Sequence, residues 1–306
     1  MIDAIARHQL GLFTTQQALR AGVGEKQLAR RVREGRYRMM RRGVLAVAAV
    51  PPTWEQSVLA AVLAAGDGAL ASHATAARLH GLEDGPPIDA IEVVAPLGRH
   101  VRRPGVRGHR SGILFDADRA VAGVVPCTAP ARTLIDLSGR LSAIDLGRLA
   151  DRLVRNKSMT WAHLVAAVPR FRVAPGRAPT VVVQVLRDRW PGYDPGESDF
   201  EARVLRIIHR AGLPMPVQQH VIVAGGHRYR VDLAYPELRV GFEVDGWADH
   251  GHRTAFDADR RRNNLIALQA WRLFHLTWRM ADEEILAVVR TARHVFGQKP
   301  AVEAGF

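Results

Sequence analysis

Two β-prone runs, Arg228 to Tyr235 and Leu238 to Asp245, are joined through Pro236-Glu237, and this hairpin signal constrains the chain more than any other stretch. If Tyr235 pairs with Val240 around a four-residue loop, the ladder sets Ala234 opposite Gly241, Leu233 opposite Phe242, and Asp232 opposite Glu243. Directly opposed residues have Cβ atoms roughly 4.5 to 5.5 Å apart, and like charges so placed are destabilising. Asp245 lies two residues beyond Glu243 and points to the same face. A divalent cation would relieve the repulsion. Three converging oxygen donors suit Mg²⁺ or Mn²⁺ rather than zinc. Such an ion lowers the pKa of a bound water and neutralises phosphoryl charge, the two requirements of phosphodiester hydrolysis. A different register would leave the acids solvated and make Phe242 and Val244 the buried face.

The flanking segments frame the hairpin. Phe200, Val204, Leu205, Ile208 and Ala211 recur at helical spacing, with Ser198 and Glu201 placed as a capping box. A strand spans 217–223. Beyond the hairpin, Gly246 turns the chain, His250 and His252 come next, a helix spans 256–270, a strand 271–277, and a last helix starts at Asp282. This order, with Asp232 and Glu243-Val244-Asp245, resembles the PD-(D/E)XK nuclease superfamily, and more closely its branch related to very-short-patch-repair endonucleases. The resemblance covers about Ser198 to Ala292. Its specific features are Glu201, Gln219, Val231-Asp232-Leu233, Glu243-Val244-Asp245-Gly246, His250, Asp259-Arg260 and Trp271 to Trp278.

The resemblance implies a restriction-endonuclease-like α/β domain around a central mixed sheet. Asp232 and Glu243 would hold the metal, Glu201 would orient a ligand or water, and Gln219 would belong to the catalytic set. One position departs from the superfamily, since its usual lysine is Asp245 here, as is common in this branch. His250 is then the candidate general base, because an imidazole titrates near neutrality. A surface histidine is the competing reading.

At the other end of the chain, Thr14 and Thr15 can cap a short helix running to Ala21, Gly22 ends it, and a second helix runs from Glu25 to Glu34. Two short helices around a glycine turn form a helix-turn-helix, whose second helix can enter a major groove. Leu28 and Val32 would face the core. The segment from Tyr37 to Ala48 turns at Arg42-Gly43, which suits the hairpin of a winged helix. Between Lys26 and Arg42 stand eight basic residues, Lys26, Arg30, Arg31, Arg33, Arg36, Arg38, Arg41 and Arg42, against the single acid Glu34. They are candidate DNA-binding residues, as are Arg260 and Arg261 on the helix after the acidic hairpin. The segment resembles the N-terminal winged helix of AbiEi-type antitoxins, and Thr128 to Leu137 in the middle region resembles the next region of those proteins. That likeness implies DNA binding, autoregulation and a toxin partner.

Pro51-Pro52 closes the first part, 1–50. A mixed α/β region over 53–190 carries helices at 54–65, at 74–80 and from Ala131 onward, and a strand at 91–94. A Pro/Gly linker over 191–196 leads to the last domain, 197–306. The basic run from Arg99 to Arg110 either extends a DNA track or is a solvated loop. The fold class is thus α/β of the α+β kind. The 306 residues carry 43 Lys plus Arg against 30 Asp plus Glu, a net charge of +13 that attracts polyanions. No apolar run reaches the roughly 20 residues of a membrane span. Cys127 is the only cysteine, so a disulfide or cysteine-based zinc site within one chain is excluded. Without a secretory pattern, the chain reads as cytoplasmic, a partner of double-stranded DNA, and a possible homodimer.

Two functional classes emerge. One is a Mg²⁺- or Mn²⁺-dependent DNA endonuclease that binds duplex through the winged helix; RNA or branched DNA are variant substrates. The other is a non-catalytic regulator or antitoxin-like protein whose nuclease fold is degenerate.

Overall fold

The computed structural model describes residues 2–83, 85–98, 102–171, 176–189, 192–245 and 253–297. The chain divides into two compact units, Met1–Arg187 and Asp188–Phe306. Among the described residues, no helix is long and apolar enough to cross a membrane.

The first unit begins with α1 (Ile2–Arg7), β1 (Leu12–Thr14), α2 (Thr15–Arg20), α3 (Glu25–Arg33), β2 (Tyr37–Arg41) and β3 (Val44–Val47). Thr14 and Gln17 form a reciprocal capping box that starts α2. The strands make an antiparallel sheet in the order β1-β3-β2, the wing of a winged helix. Strand alternation then sorts the side chains between two faces. Phe13, Tyr37 and Leu45 pack with Ile2, Ala18 and Leu28 to form the core of the helical side. Leu12, Val44 and Ala46 instead pack with Val58, Leu59 and Val62 of α4 (Trp54–Ala65). The winged helix therefore shares a continuous core with the region beyond Pro51-Pro52.

That region contains β4 (Leu70–Ala71), α5 (His73–Leu79), β5 (Ile91–Pro96), β6 (Arg102–Arg103), β7 (Val106–Ser111), β8 (Arg119–Ala122) and β9 (Val125–Thr128). They form one mixed sheet in the order β6-β7-β5-β4-β9-β8. Next come α6 (Pro130–Leu137), α7 (Ala143–Arg155), α8 (Trp161–Ala167) and α9 (Pro179–Arg187), gathered around Leu134, Leu137, Leu146, Leu153 and Phe171. A fully buried arginine crosses this core. Arg132 reaches Asp136 at 2.9 Å and Asp118 at 3.4 Å, and donates to the Ile113 carbonyl at 2.7 Å. Arg170 and Arg177 add their own pairs to Asp118 and Asp136, each at 2.7 Å.

The second unit runs α10 (Asp199–Arg210), β10 (Val217–Ala224), β11 (His227–Tyr235), β12 (Val240–Asp245), α11 (Arg253–Leu268), β13 (Arg272–Thr277) and α12 (Asp282–Gly297). Its sheet is mixed, in the order β10-β11-β12-β13, with the last pair parallel. The hairpin register is Tyr235 with Val240, Ala234 with Gly241, and Leu233 with Phe242. Leu238, expected to begin the second strand, instead ends a 3₁₀ turn over Pro236–Leu238, and Arg239 returns in the left-handed region at φ 52°.

Candidate functional site

The nucleic-acid face is built by α3 and the wing. Leu28 is buried and Val32 packs on the same core, so helical spacing places Lys26, Arg30 and Arg33 together on the outer side, where all three are exposed. Arg42 is also exposed, at the wing turn. Lys26, Arg33 and Arg42 have no ion-pair partner among the described residues. The other cations divide by role. Arg30 and Arg36 each lie 3.6 Å from Glu34, and such solvent-exposed pairs contribute little and exchange easily. Arg31 donates to the Tyr37 hydroxyl at 2.8 Å, Arg38 to Gln56 at 3.2 Å, and Arg41 to the Pro104 carbonyl at 3.1 Å. These last three tie the wing to its surroundings. The uniform basic track read from the sequence is therefore a smaller exposed patch around α3 and Arg42, buttressed by structural arginines.

Within the basic run of 99–110, the described residues 102–110 form β6 and most of β7 rather than a bare loop, and 99–101 lie outside the described residues. From β7, Arg107 and His109 turn onto Glu92 of β5, at 3.5 and 3.3 Å.

In the second unit, Asp232 sits where the ladder breaks on both sides. Gln219, the residue of β10 that would face it, has φ 51°, a strained backbone for a non-glycine residue in a strand. Pairing on that side skips from Gln218–Leu233 to His220–Val231. On the other side the paired register stops at Leu233–Phe242. The register is the one that would set Asp232 opposite Glu243, but pairing ends one step short of them, and Asp232 Oδ2 accepts the Val244 backbone N–H at 2.8 Å. Opposing two carboxylates in register is unfavourable, and here one acid takes a main-chain donor.

Glu201, on α10, is 4% exposed, and its Oε2 accepts from Gln219 Nε2 at 3.0 Å and from the Glu197 N–H at 3.1 Å. Burial pushes its carboxyl above the usual range, and the Asp232 charge pushes the same way. Glu243 is 9% exposed and is likewise raised, first by burial and also by Asp232, against the opposing pull of Arg262. Arg262 of α11 donates to Glu243 Oε1 at 2.5 Å. Asp245 is drawn instead to His275 Nδ1, 3.0 Å away. His275 also lines a cavity of about 540 Å³ with Asn263, Asn264 and Trp271. His250 lies outside the described residues, as do Gly246 and His252. Arg260 and Arg261 are exposed on α11. Arg262 escaped the sequence reading; its signal was its place one turn before Ile266, which is fully buried.

The first unit is a winged helix with an attached mixed α/β domain, and the second is an α/β unit that carries Glu201, Asp232 and Glu243. Residues 1–48 match the family model described as a transcriptional regulator, AbiEi antitoxin, and residues 60–169 match the AbiEi antitoxin C-terminal domain. Two uncharacterized proteins of Mycobacterium tuberculosis, from the CDC 1551 / Oshkosh and H37Rv strains, are 28% identical over 208 residues, 67% of this chain and 73% of theirs. The crystal structure of the RV2827C protein from the same species aligns over 74% of this chain and 87% of that one, with 18% identity and a TM-score of 0.40.

Proposed function

We propose that the chain is a DNA-binding regulator of the AbiEi antitoxin type, which seats α3 in the major groove and lays the wing along the phosphate backbone. The observation that carries this is the face of Lys26, Arg30, Arg33 and Arg42, held outside a core that needs none of them. A protein that neutralises phosphates in this way binds less tightly as salt rises, with a logarithmic slope of about 0.9 per phosphate engaged. The toxin partner follows from the same family likeness. The test is fluorescence anisotropy on double-stranded fragments from the chain's own promoter. Sequence-selective, metal-independent binding is the expected result, and a variant with Arg30→Ala and Arg33→Ala binds far more weakly. Equal affinity for unrelated duplexes, or unchanged affinity in that variant, rejects it.

A second reading attaches to the second unit, where Asp232 and Glu243 flank the break in the ladder and Glu201 is held by Gln219: the unit would act as a Mg²⁺- or Mn²⁺-dependent nuclease on DNA, the ion drawing together carboxylates that do not converge within 4.8 Å without it. Carboxylate oxygens are the donors a hard divalent cation takes. Glu243 and Asp232 each keep one oxygen beyond their Arg262 and Val244 contacts, and Glu201 and Glu243 are raised first by burial and also by the Asp232 charge. Asp232 and Glu243 would hold the ion, which would supply an activated water and charge neutralisation. Glu201, steered by Gln219, would orient the group between them, and Arg262, which donates to Glu243, would supply the positive charge. Metal-dependent nicking of plasmid that disappears in Asp232→Asn supports this reading. Plasmid that stays intact with either metal rejects it.

A further inference from the structure

Away from both sites, the first unit brings together two imidazoles and a carboxylate that neither reading uses. A ring nitrogen of His73, a ring nitrogen of His109 and a Glu92 oxygen provide one donor each, all within 4.8 Å of one another; this is the one such group of three among the described residues. His73 and Glu92 are 6% and 2% exposed. We propose that His73, Glu92 and His109 bind a divalent transition-metal ion of the zinc class, with water or an added ligand completing the shell.

Each donor is held in place by its own surroundings. His73 opens α5 with φ 51°, a backbone cost that fixes where the ring points. Its Nδ1 contacts the buried Ser72 hydroxyl at 3.0 Å, which leaves Nε2 as the ligating atom; bonding of the non-ligating ring nitrogen is the usual way a protein orients a metal histidine. Glu92 is held the same way, its Oε2 accepting the Ala74 N–H at 3.0 Å and its Oε1 facing His109 Nε2 at 3.3 Å. The rings of His73 and His109 stack with centroids 3.8 Å apart, a separation that disfavours charging both.

Arg140 at 2.7 Å and Arg107 at 3.5 Å neutralise Glu92 Oε1. Their side chains are 34% and 52% exposed, so both can swing into solvent as an ion enters. Two imidazoles and one carboxylate suit Zn²⁺, Co²⁺ or Ni²⁺ over Mg²⁺, which separates this site chemically from the acidic centre.

This site stands apart from the proposed function, and its test removes the acidic centre first. In the full-length chain carrying Asp232→Asn and Glu243→Gln, Co²⁺ titration should give one equivalent of saturable binding. Four-coordinate visible absorption should appear and be displaced by Zn²⁺. His109→Gln, and the milder Ser72→Ala, should each weaken binding by about tenfold or more. X-ray absorption of the Zn²⁺-loaded parent, which needs no substitution at the site, should count two imidazoles. Absence of saturable binding, an all-oxygen shell, or affinity unchanged in a folded His109→Gln protein would overturn the proposal.

Discussion

At the scale of single residues, the first unit is organised by charges that are buried together. Arg132 is fully enclosed with Asp118 and Asp136, and removing one member of such a network strands the rest without water. Arg132→Ala should lower the unfolding free energy by about 3 to 5 kcal/mol, read by urea denaturation. His73 makes the second prediction. Its pKa is about 4 in the folded chain against an ordinary value of 6.5, so the unfolded chain takes up the proton first as pH falls. The stability from keeping His73 neutral is complete above pH 6.5 and is lost between 6.5 and 4, at about 1.4 kcal/mol per pH unit. Urea midpoints measured across that window should decline in the metal-free parent and decline less in His73→Gln. Neither feature was legible in the chain. Arg132 and Asp136 stand four apart and would read as an ordinary exposed helical pair, and Glu92 lies far in sequence from both histidines. Only the packing of α6, β5 and β7 decides what is enclosed.

At the scale of elements, local rules were largely sufficient. The cap at Thr14, the glycines after α2 and α3 and the turn at Arg42-Gly43 are encoded within a few residues, and α2, α3, β2 and β3 fall where those signals place them, whereas α1 and β1 carry no such signal and escaped the sequence reading. Thr14→Ala should cost about 1 kcal/mol, detectable as a lower thermal midpoint. The acidic hairpin was legible in its register as far as Leu233–Phe242 and illegible one step later. Strand periodicity takes no account of repulsion, so it continued the ladder through Asp232, where the structure gives Asp232 the Val244 N–H and puts Gln219 in a left-handed conformation. Because Asp232 raises the carboxyls of Glu201 and Glu243, removing its charge relaxes the site. In the absence of divalent metal, Asp232→Asn should raise the melting temperature of the full chain's second unit, while Mg²⁺ or Mn²⁺ stabilises the parent more than the variant. An unchanged or lower metal-free midpoint would contradict this account. Gly196 is tied to the same place. With φ 71°, and with a Cβ that would meet Glu201 Oε2 at 2.7 Å, it lets the chain pass against that carboxylate, and Gly196→Ala should displace it.

At the scale of the whole molecule, the net charge of +13 overstates the binding surface, because many of the arginines that produce it are engaged by Glu34, Tyr37, Gln56, Glu92, Asp118, Asp136 or Glu243. The salt dependence of DNA binding should therefore reflect a few phosphate contacts rather than the total. Replacing Arg33 and Arg42 together should reduce the logarithmic salt slope by roughly 2, whereas replacing exposed arginines outside α3 and the wing should leave it nearly unchanged. The two-faced sheet of the winged helix has a further consequence. With Leu12, Val44 and Ala46 covered by α4, a protease that nicks near Pro51-Pro52 would leave two fragments that stay together, and a recombination event cutting there would yield a head with a bare oily side. The winged helix and the domain behind it should accordingly be inherited as one piece.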